Sequence, residues 1–166
     1  MSKTIEDLKV AFAGESQANR KYLAFAKKAD SEGFPQVAKL FRAVAAAETV
    51  HALNHFRVLG EVKSTLENLQ AAVDGEHYEV NSMYPEFIAD AEKEEFKKAV
   101  NSFTYAIEAE KIHEQMYANA IENLGKPGDD EDYYVCPVCG FTHKGKFNGD
   151  RCPVCSTPSE RFERIV

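Results

Sequence analysis

Two short segments carry the same pair of metal-binding side chains at the same spacing: Ala47-Glu48-Thr49-Val50-His51 and Ala109-Glu110-Lys111-Ile112-His113. On a helix, residues three apart share a face, so each segment can offer a carboxylate and an imidazole to one metal ion. The segments lie 62 residues apart, and the same offset pairs Tyr22 with Tyr84, Phe25 with Phe87, Ala29 with Ala91, Phe34 with Phe96 and Phe41 with Phe103. The chain is therefore an internal repeat of a helical hairpin, with the Glu-x-x-His pairs as polar members of an apolar register.

A second chemistry sits near the carboxyl end. Cys136-Pro-Val-Cys139 and Cys152-Pro-Val-Cys155 hold all four cysteines. In a reducing setting this spacing describes a tetrahedral four-thiolate metal site rather than disulfides. Structural zinc is one occupant of such a site, and iron, which would make it a one-electron carrier, is the other. Tyr134 before the first pair and Gly140-Phe141 after it favour iron in a rubredoxin-like knuckle.

The elements that must position these groups can be read from capping and period. Thr4 and Asp7 have capping-box spacing ahead of a first helix from about residue 5 to about residue 30. Gly33 and Pro35 separate it from a second helix reaching about Leu59, with Gly60 as its stop. Ser64 and Glu67 open a third, which contains Pro85 and should kink there. The stripe Phe96, Val100, Phe103, Ile107, Glu110, His113, Tyr117, Ile121 defines a fourth, closed by Gly125 and Pro127. Four such helices meet the description of a ferritin-like di-metal carboxylate bundle, in which two helices give one Glu and two give Glu-x-x-His. Here Glu15, Glu48, His51, Glu76, Glu110 and His113 supply the set, with Glu79 as a further candidate one turn after Glu76. Two imidazoles among oxygen donors suit iron or manganese. Tyr22 and Tyr84, two turns beyond Glu15 and Glu76, are placed to orient those carboxylates or deliver protons. Glu15 and Glu76 lie 61 rather than 62 residues apart, and the extra residue before Tyr84 can be absorbed as a π-bulge.

The expected fold class is all-α: a ferritin-like four-helix bundle over residues 1–125, an acidic linker at 126–132, and a small metal-knuckle domain at 133–166. The last is too short to fold on a hydrophobic core alone, so bound metal would stabilise it. The net charge of −7, without a basic cluster, argues against nucleic acid. No apolar run is long enough to span a membrane and the amino terminus shows no leader, which points to a cytoplasmic protein.

Taken together, Phe12-Ala13-Gly14-Glu15-Ser16-Gln17-Ala18, the two Glu-x-x-His pairs, Gly75-Glu76-His77-Tyr78-Glu79, Met83-Tyr84-Pro85 and the two Cys-Pro-Val-Cys pairs resemble the rubrerythrins over the full chain. The resemblance implies a non-haem di-iron peroxidase reducing hydrogen peroxide to water, fed from NAD(P)H through a redox partner such as rubredoxin or a reductase. It implies two irons in the bundle, one iron on the four cysteines, and exchange of Glu79 and His51 as ligands of one iron. Within one chain His113 lies 11 residues from Leu124, about 16 Å of helix before the linker begins. That distance predicts a head-to-tail homodimer in which each cysteine site serves its neighbour's bundle, as the resemblance also implies. Ser156 stands where the knuckle wants a positive φ, in the place Gly140 occupies after the first pair. A ferroxidase or iron-storage protein, or a non-enzymatic module with a zinc ribbon, are the rival readings.

Overall fold

The computed structural model describes residues 2–128 and 130–166; Asp129, within the expected acidic linker, lies outside them. The chain divides into two compact units, residues 1–63 and 64–166.

The first unit is a helical hairpin of α1, Lys3–Ser31, and α2, Pro35–Val58. Its start corrects the capping expectation. Ser2, not Thr4, is the N-cap, and its Oγ accepts from the Ile5 N–H, while Asp7 pairs with Lys3. The side chains wholly buried along the hairpin are small: Ala26, Ala29, Ala38, Ala45 and Ala52, joined by one polar group, Asn19. Alanine at these positions lets the two backbones approach closely. Asn19 Nδ2 donates to the Ala45 carbonyl at 2.7 Å and to Thr49 Oγ1 at 2.8 Å, fixing α1 against the turn that carries Glu48. Larger apolar residues such as Phe25, Leu40, Val50 and Leu53 remain exposed on this unit.

In the second unit, α3 spans Thr65–Tyr78, a π-helical turn covers Glu79–Met83, α4 spans Tyr84–Lys93, and α5 spans Lys97–Glu122. Ser64 and Glu67 form the expected reciprocal capping box. The π-turn is the extra residue of the repeat made visible, and Pro85 follows it in the first turn of α4.

The remaining residues build two knuckles and a small sheet of β1, Tyr133–Val135, β2, Thr142–Lys144, and β3, Glu163–Ile165, antiparallel in the order β2-β1-β3. The knuckles repeat one bonding pattern. Cys136 N–H donates to Phe141 O at 2.9 Å and Gly140 N–H to Cys136 O at 3.0 Å, as Cys152 N–H does to Thr157 O at 2.8 Å and Ser156 N–H to Cys152 O at 2.9 Å. Gly140 has φ +81° and Ser156 φ +61°, so the serine does adopt the glycine-favouring conformation. Cys136, Cys139, Phe141 and Cys152 form the core of this region, and Tyr105 and Ile112 from α5 pack against it.

Candidate metal centres

The expected ligands gather into three groups. In the first unit Glu15, Glu48 and His51 bring one donor atom each within 4.8 Å of one another; in the second, Glu76, Glu110 and His113 do the same, and so do the four cysteines.

The first cluster is open. His51 Nδ1 lies 2.9 Å from Glu48 Oε2 and 3.8 Å from Glu15 Oε1, and the His51 side chain keeps 53% of its exposure. Tyr22 packs in a ring triad with Phe25 and Phe41.

The second cluster is more enclosed and more strained electrostatically. His113 Nδ1 sits 2.5 Å from Glu110 Oε2, with its side chain 24% exposed. Burial, then the charge of Glu110, pushes the Glu76 carboxyl up to about 7, although His113 opposes the shift. Glu79, at the start of the π-turn, is not among the grouped donors; burial and then the same Glu110 charge raise its carboxyl. Tyr84 is raised by burial and by Glu79, Glu110 and Glu76, which keeps its phenol protonated beside three carboxylates. The hydrogen bond to Glu110 raises His113 despite its burial. Carboxylates brought this close repel one another unless a proton or a cation is shared between them, and a metal ion is a charge that fits this donor set.

The four sulfurs lie within 4.8 Å of one another, with Cys136 Sγ 3.6 Å from Cys155 Sγ and Cys139 Sγ 3.4 Å from Cys152 Sγ, and all four thiols are free. A tetrahedron with metal–sulfur bonds of about 2.3 Å has edges of about 3.8 Å, so the cage is close to the size a four-coordinate ion needs. Burial raises Cys139 and Cys152. For Cys155 burial acts the same way, but hydrogen bonds from the Thr157 side chain and backbone outweigh it and bring the thiol down to about 7. Thr157 Oγ1 is 3.1 Å from its sulfur.

Spacing alone did not reveal how the second cluster and the cage meet. His113 Nε2 lies 3.2 Å from the Gly140 carbonyl and 2.9 Å from Thr142 Oγ1, and Gly140 approaches Ala109 closely enough that a Cβ would stand 3.8 Å from the alanine's. The knuckle thus rests on α5 of its own chain, immediately beside a candidate ligand. This removes the path-length reason for expecting each cysteine site to serve a neighbour's bundle: distance along α5 and the linker does not measure distance in space. Also unforeseen was the pair of His77 Nδ1 with Glu114 at 2.7 Å, which ties α3 to α5 one residue away from Glu76 and His113.

Carboxylate–histidine clusters repeated on two helical hairpins, together with a four-thiolate knuckle, define a ferritin-like di-metal carboxylate protein with a rubredoxin-like module. Comparison with known proteins agrees. The rubrerythrin family model matches residues 6–121, and the model for the rubrerythrin rubredoxin-like domain matches residues 134–163. Nigerythrin of Nitratidesulfovibrio vulgaris is 39% identical over 98% of this chain and 86% of its own length, and rubrerythrin-2 of Clostridium acetobutylicum 35% identical over 96% and 95%. The solved structure of nigerythrin in its fully reduced, all-ferrous state is 38% identical, with a TM-score of 0.60 over 99% of this chain and 88% of that one. The chain belongs to the rubrerythrin family. Among the described residues no helix is long and apolar enough to cross a membrane.

Proposed function

We propose that this protein is a non-haem di-iron peroxidase that reduces hydrogen peroxide to water, with iron on the four cysteines relaying electrons from an NAD(P)H-linked donor. The observation that carries the reading is the contact of the cysteine knuckle with His113, because it couples a one-electron site to a carboxylate–histidine site. The all-ferrous nigerythrin relative supports iron as the metal. We take the functional division of the chain to be 1–125, 126–132 and 133–166, and the site of action to be the cytoplasm.

When bound, a diferrous pair supplies the two electrons that breaking one O–O bond requires. The chain's own groups do the rest. Glu15, Glu48, His51, Glu76, Glu110 and His113 hold the metals, and Tyr84, kept protonated by its carboxylate neighbours, can hold and pass a proton to a departing oxygen, with Tyr22 as its repeat counterpart. Glu79 and His51 are the ligands we propose to exchange. Glu79 stands on the π-turn, and His51 is the freer of the two histidines. Gly140 directly follows Cys139, so the hydrogen bond from His113 Nε2 to its carbonyl joins one sulfur to the imidazole by covalent bonds and a single non-covalent step. A redox partner such as rubredoxin or an NAD(P)H-dependent reductase would feed the cysteine site.

The homodimer stays part of the proposal, for a different reason from path length. A ferritin-like bundle joins its second and third helices by a long crossover. Here residues 59–64 alone separate α2 from α3, and they reach at most about 25 Å. The crossover must also recover the ten residues from Glu48 to the end of α2 and the eleven from the start of α3 to Glu76, about 30 Å of helix. We therefore propose that two copies exchange their α1–α2 hairpins. Each cysteine knuckle then serves ligands from its own α5 and from its neighbour's α1 and α2, which keeps a head-to-tail relation.

The test is anaerobic stopped-flow absorbance of the reduced protein, purified with its native metals, against peroxide and separately against dioxygen. Visible thiolate-to-iron bands returning much faster with peroxide are expected. Faster return with dioxygen would make this a ferroxidase, and absence of the bands would make the tail a zinc ribbon.

A further inference from the structure

The two candidate metal-binding histidines occupy equivalent repeat positions but differ on the ring edge away from the carboxylates. His113 Nε2 meets Thr142 Oγ1 at 2.9 Å and the Gly140 carbonyl at 3.2 Å, and Thr142 Oγ1 itself lies 3.0 Å from that carbonyl. The directions of these bonds are determined. A carbonyl oxygen can only accept, so the Thr142 hydroxyl donates its proton to Gly140 O and turns a lone pair toward the imidazole. Both neighbours of Nε2 are then acceptors, and Nε2 must carry the hydrogen. In the metal-free protein Nδ1 shares a proton with Glu110 Oε2 at 2.5 Å; once a metal ion displaces that proton, the neutral ring protonated at Nε2 turns a bare Nδ1 toward the cluster.

We infer that Thr142 is a positioning residue for the metal site: its hydroxyl holds His113 in the tautomer and ring orientation in which Nδ1 is free to bind a metal ion. The assignment rests on the di-iron reading and deepens it. It also gives the docked knuckle a role beyond carrying electrons, because β2 supplies the group that readies a ligand on α5. His51 is half-exposed on an open cluster, the setting expected of a ligand that leaves and returns. Outer partners of metal-binding histidines commonly contribute tenfold or more to affinity.

The test uses Thr142→Val, which keeps the shape and removes the hydroxyl, and Thr142→Ser, which keeps the hydroxyl and removes the methyl. Each protein, with iron on the cysteines and the carboxylate sites emptied, is titrated anaerobically with ferrous ion, and the visible bands of the cysteine site are recorded to follow the knuckle. Thr142→Val should weaken one of the two ferrous equivalents by about tenfold, with the visible bands unchanged, and Thr142→Ser should bind as the parent does. Parental binding by Thr142→Val would overturn the assignment, and so would equal weakening in both variants, which would trace the effect to methyl packing. If the parent itself takes up no ferrous ion outside the cysteine site, the di-iron reading fails first and the assignment falls with it.

Discussion

The hairpin α1–α2 and the segment α3–α5 follow one plan closely enough to be laid over each other. Tyr22, Phe25 and Phe41 have ring separations of 6.3, 6.2 and 5.6 Å, and Tyr84, Phe87 and Phe103 have 6.3, 6.2 and 5.6 Å. The turns match as well, with Phe34 N–H on Ala29 O at 2.9 Å and Phe96 N–H on Ala91 O at 2.9 Å. The second copy departs from the first in its π-turn, Glu79 and the docked knuckle. One half of the repeat therefore keeps an open histidine, and the other pins its histidine and adds a carboxylate. The proposed di-iron site would then have one fixed side and one adaptable side, which suits a redox cycle in which a single ligand position changes.

The widest test of that division is complementation. Glu48→Ala damages only the first half-site and Glu110→Ala only the second, and each alone should abolish iron loading of the bundle and peroxide turnover. Unfolded together and refolded, the two variants should recover about a quarter of parental activity, because half the dimers are mixed and exchange leaves one intact site in each. A dimer without exchange would recover none, since every bundle would then keep a damaged ligand.

Asn19 and Asn81 are repeat equivalents that the π-turn has separated. Asn19 is buried and donates to Ala45 O and Thr49 Oγ1, whereas Asn81 is exposed on the π-turn and turns back to its own chain at His77 O. Asn19→Leu removes both hydrogen bonds, to Ala45 O and Thr49 Oγ1, and should cost about 1–3 kcal/mol. Asn81→Leu should fall within about 0.5 kcal/mol of the parent. Chemical denaturation of the two variants checks the difference, and equal losses would mean that the bulge does not decouple the position.

Much of this was legible beforehand, and the reasons differ by feature. Candidate ligands such as Glu48 and His113 show in the sequence because metal chemistry demands residue types at a helical spacing, and spacing survives in one dimension. The π-turn showed as an offset of 61 against 62, and the positive φ of Ser156 showed because Gly140 fills the equivalent place. Thr142 and Asn19 did not show. Each matters through a partner on another element, His113 in one case and the Ala45 carbonyl in the other, and neither a lone Thr nor a lone Asn carries a pattern. The path from cysteine site to bundle was misjudged for the same reason, since contour length is all that a sequence supplies. Thr4 and Asp7 have the spacing of a capping box, but Ser2 is the cap and Asp7 pairs with Lys3.

Proton binding offers a smaller, graded contrast. In the metal-free protein Glu76 is raised from 4.5 to about 7 by burial and Glu110, and His113 is raised from 6.5 by its hydrogen bond to Glu110. Both groups hold protons more tightly folded than unfolded. Their contribution to stability is complete below the unfolded values and is lost as pH rises through the folded ones. The metal-free melting temperature should therefore fall between about pH 5 and pH 8, Glu76→Gln should flatten the fall, and iron loading should remove it by replacing the protons. A melting temperature that rises over this range would contradict the electrostatics of the second cluster.

The subtlest contrast lies in the turns. Gly33 has φ +81° and its repeat equivalent Glu95 has φ +56°, so the second copy places a side chain where the first has glycine. An L-residue in this conformation is strained by roughly 1 kcal/mol, while glycine at the same place gives up more backbone freedom on folding, which offsets part of the relief. Glu95→Gly should thus stabilise the protein by about 0.5 kcal/mol, and Gly33→Ala should destabilise it by about 1 kcal/mol. No heavy atom lies within 4 Å of a Cβ built at Gly33, so backbone conformation alone would account for the loss. Paired urea titrations of the metal-free variants measure both. Opposite signs would show that the two turns share one backbone requirement that the second copy meets at a cost, and equal signs would show that the turns, unlike the rings and ligands, have diverged.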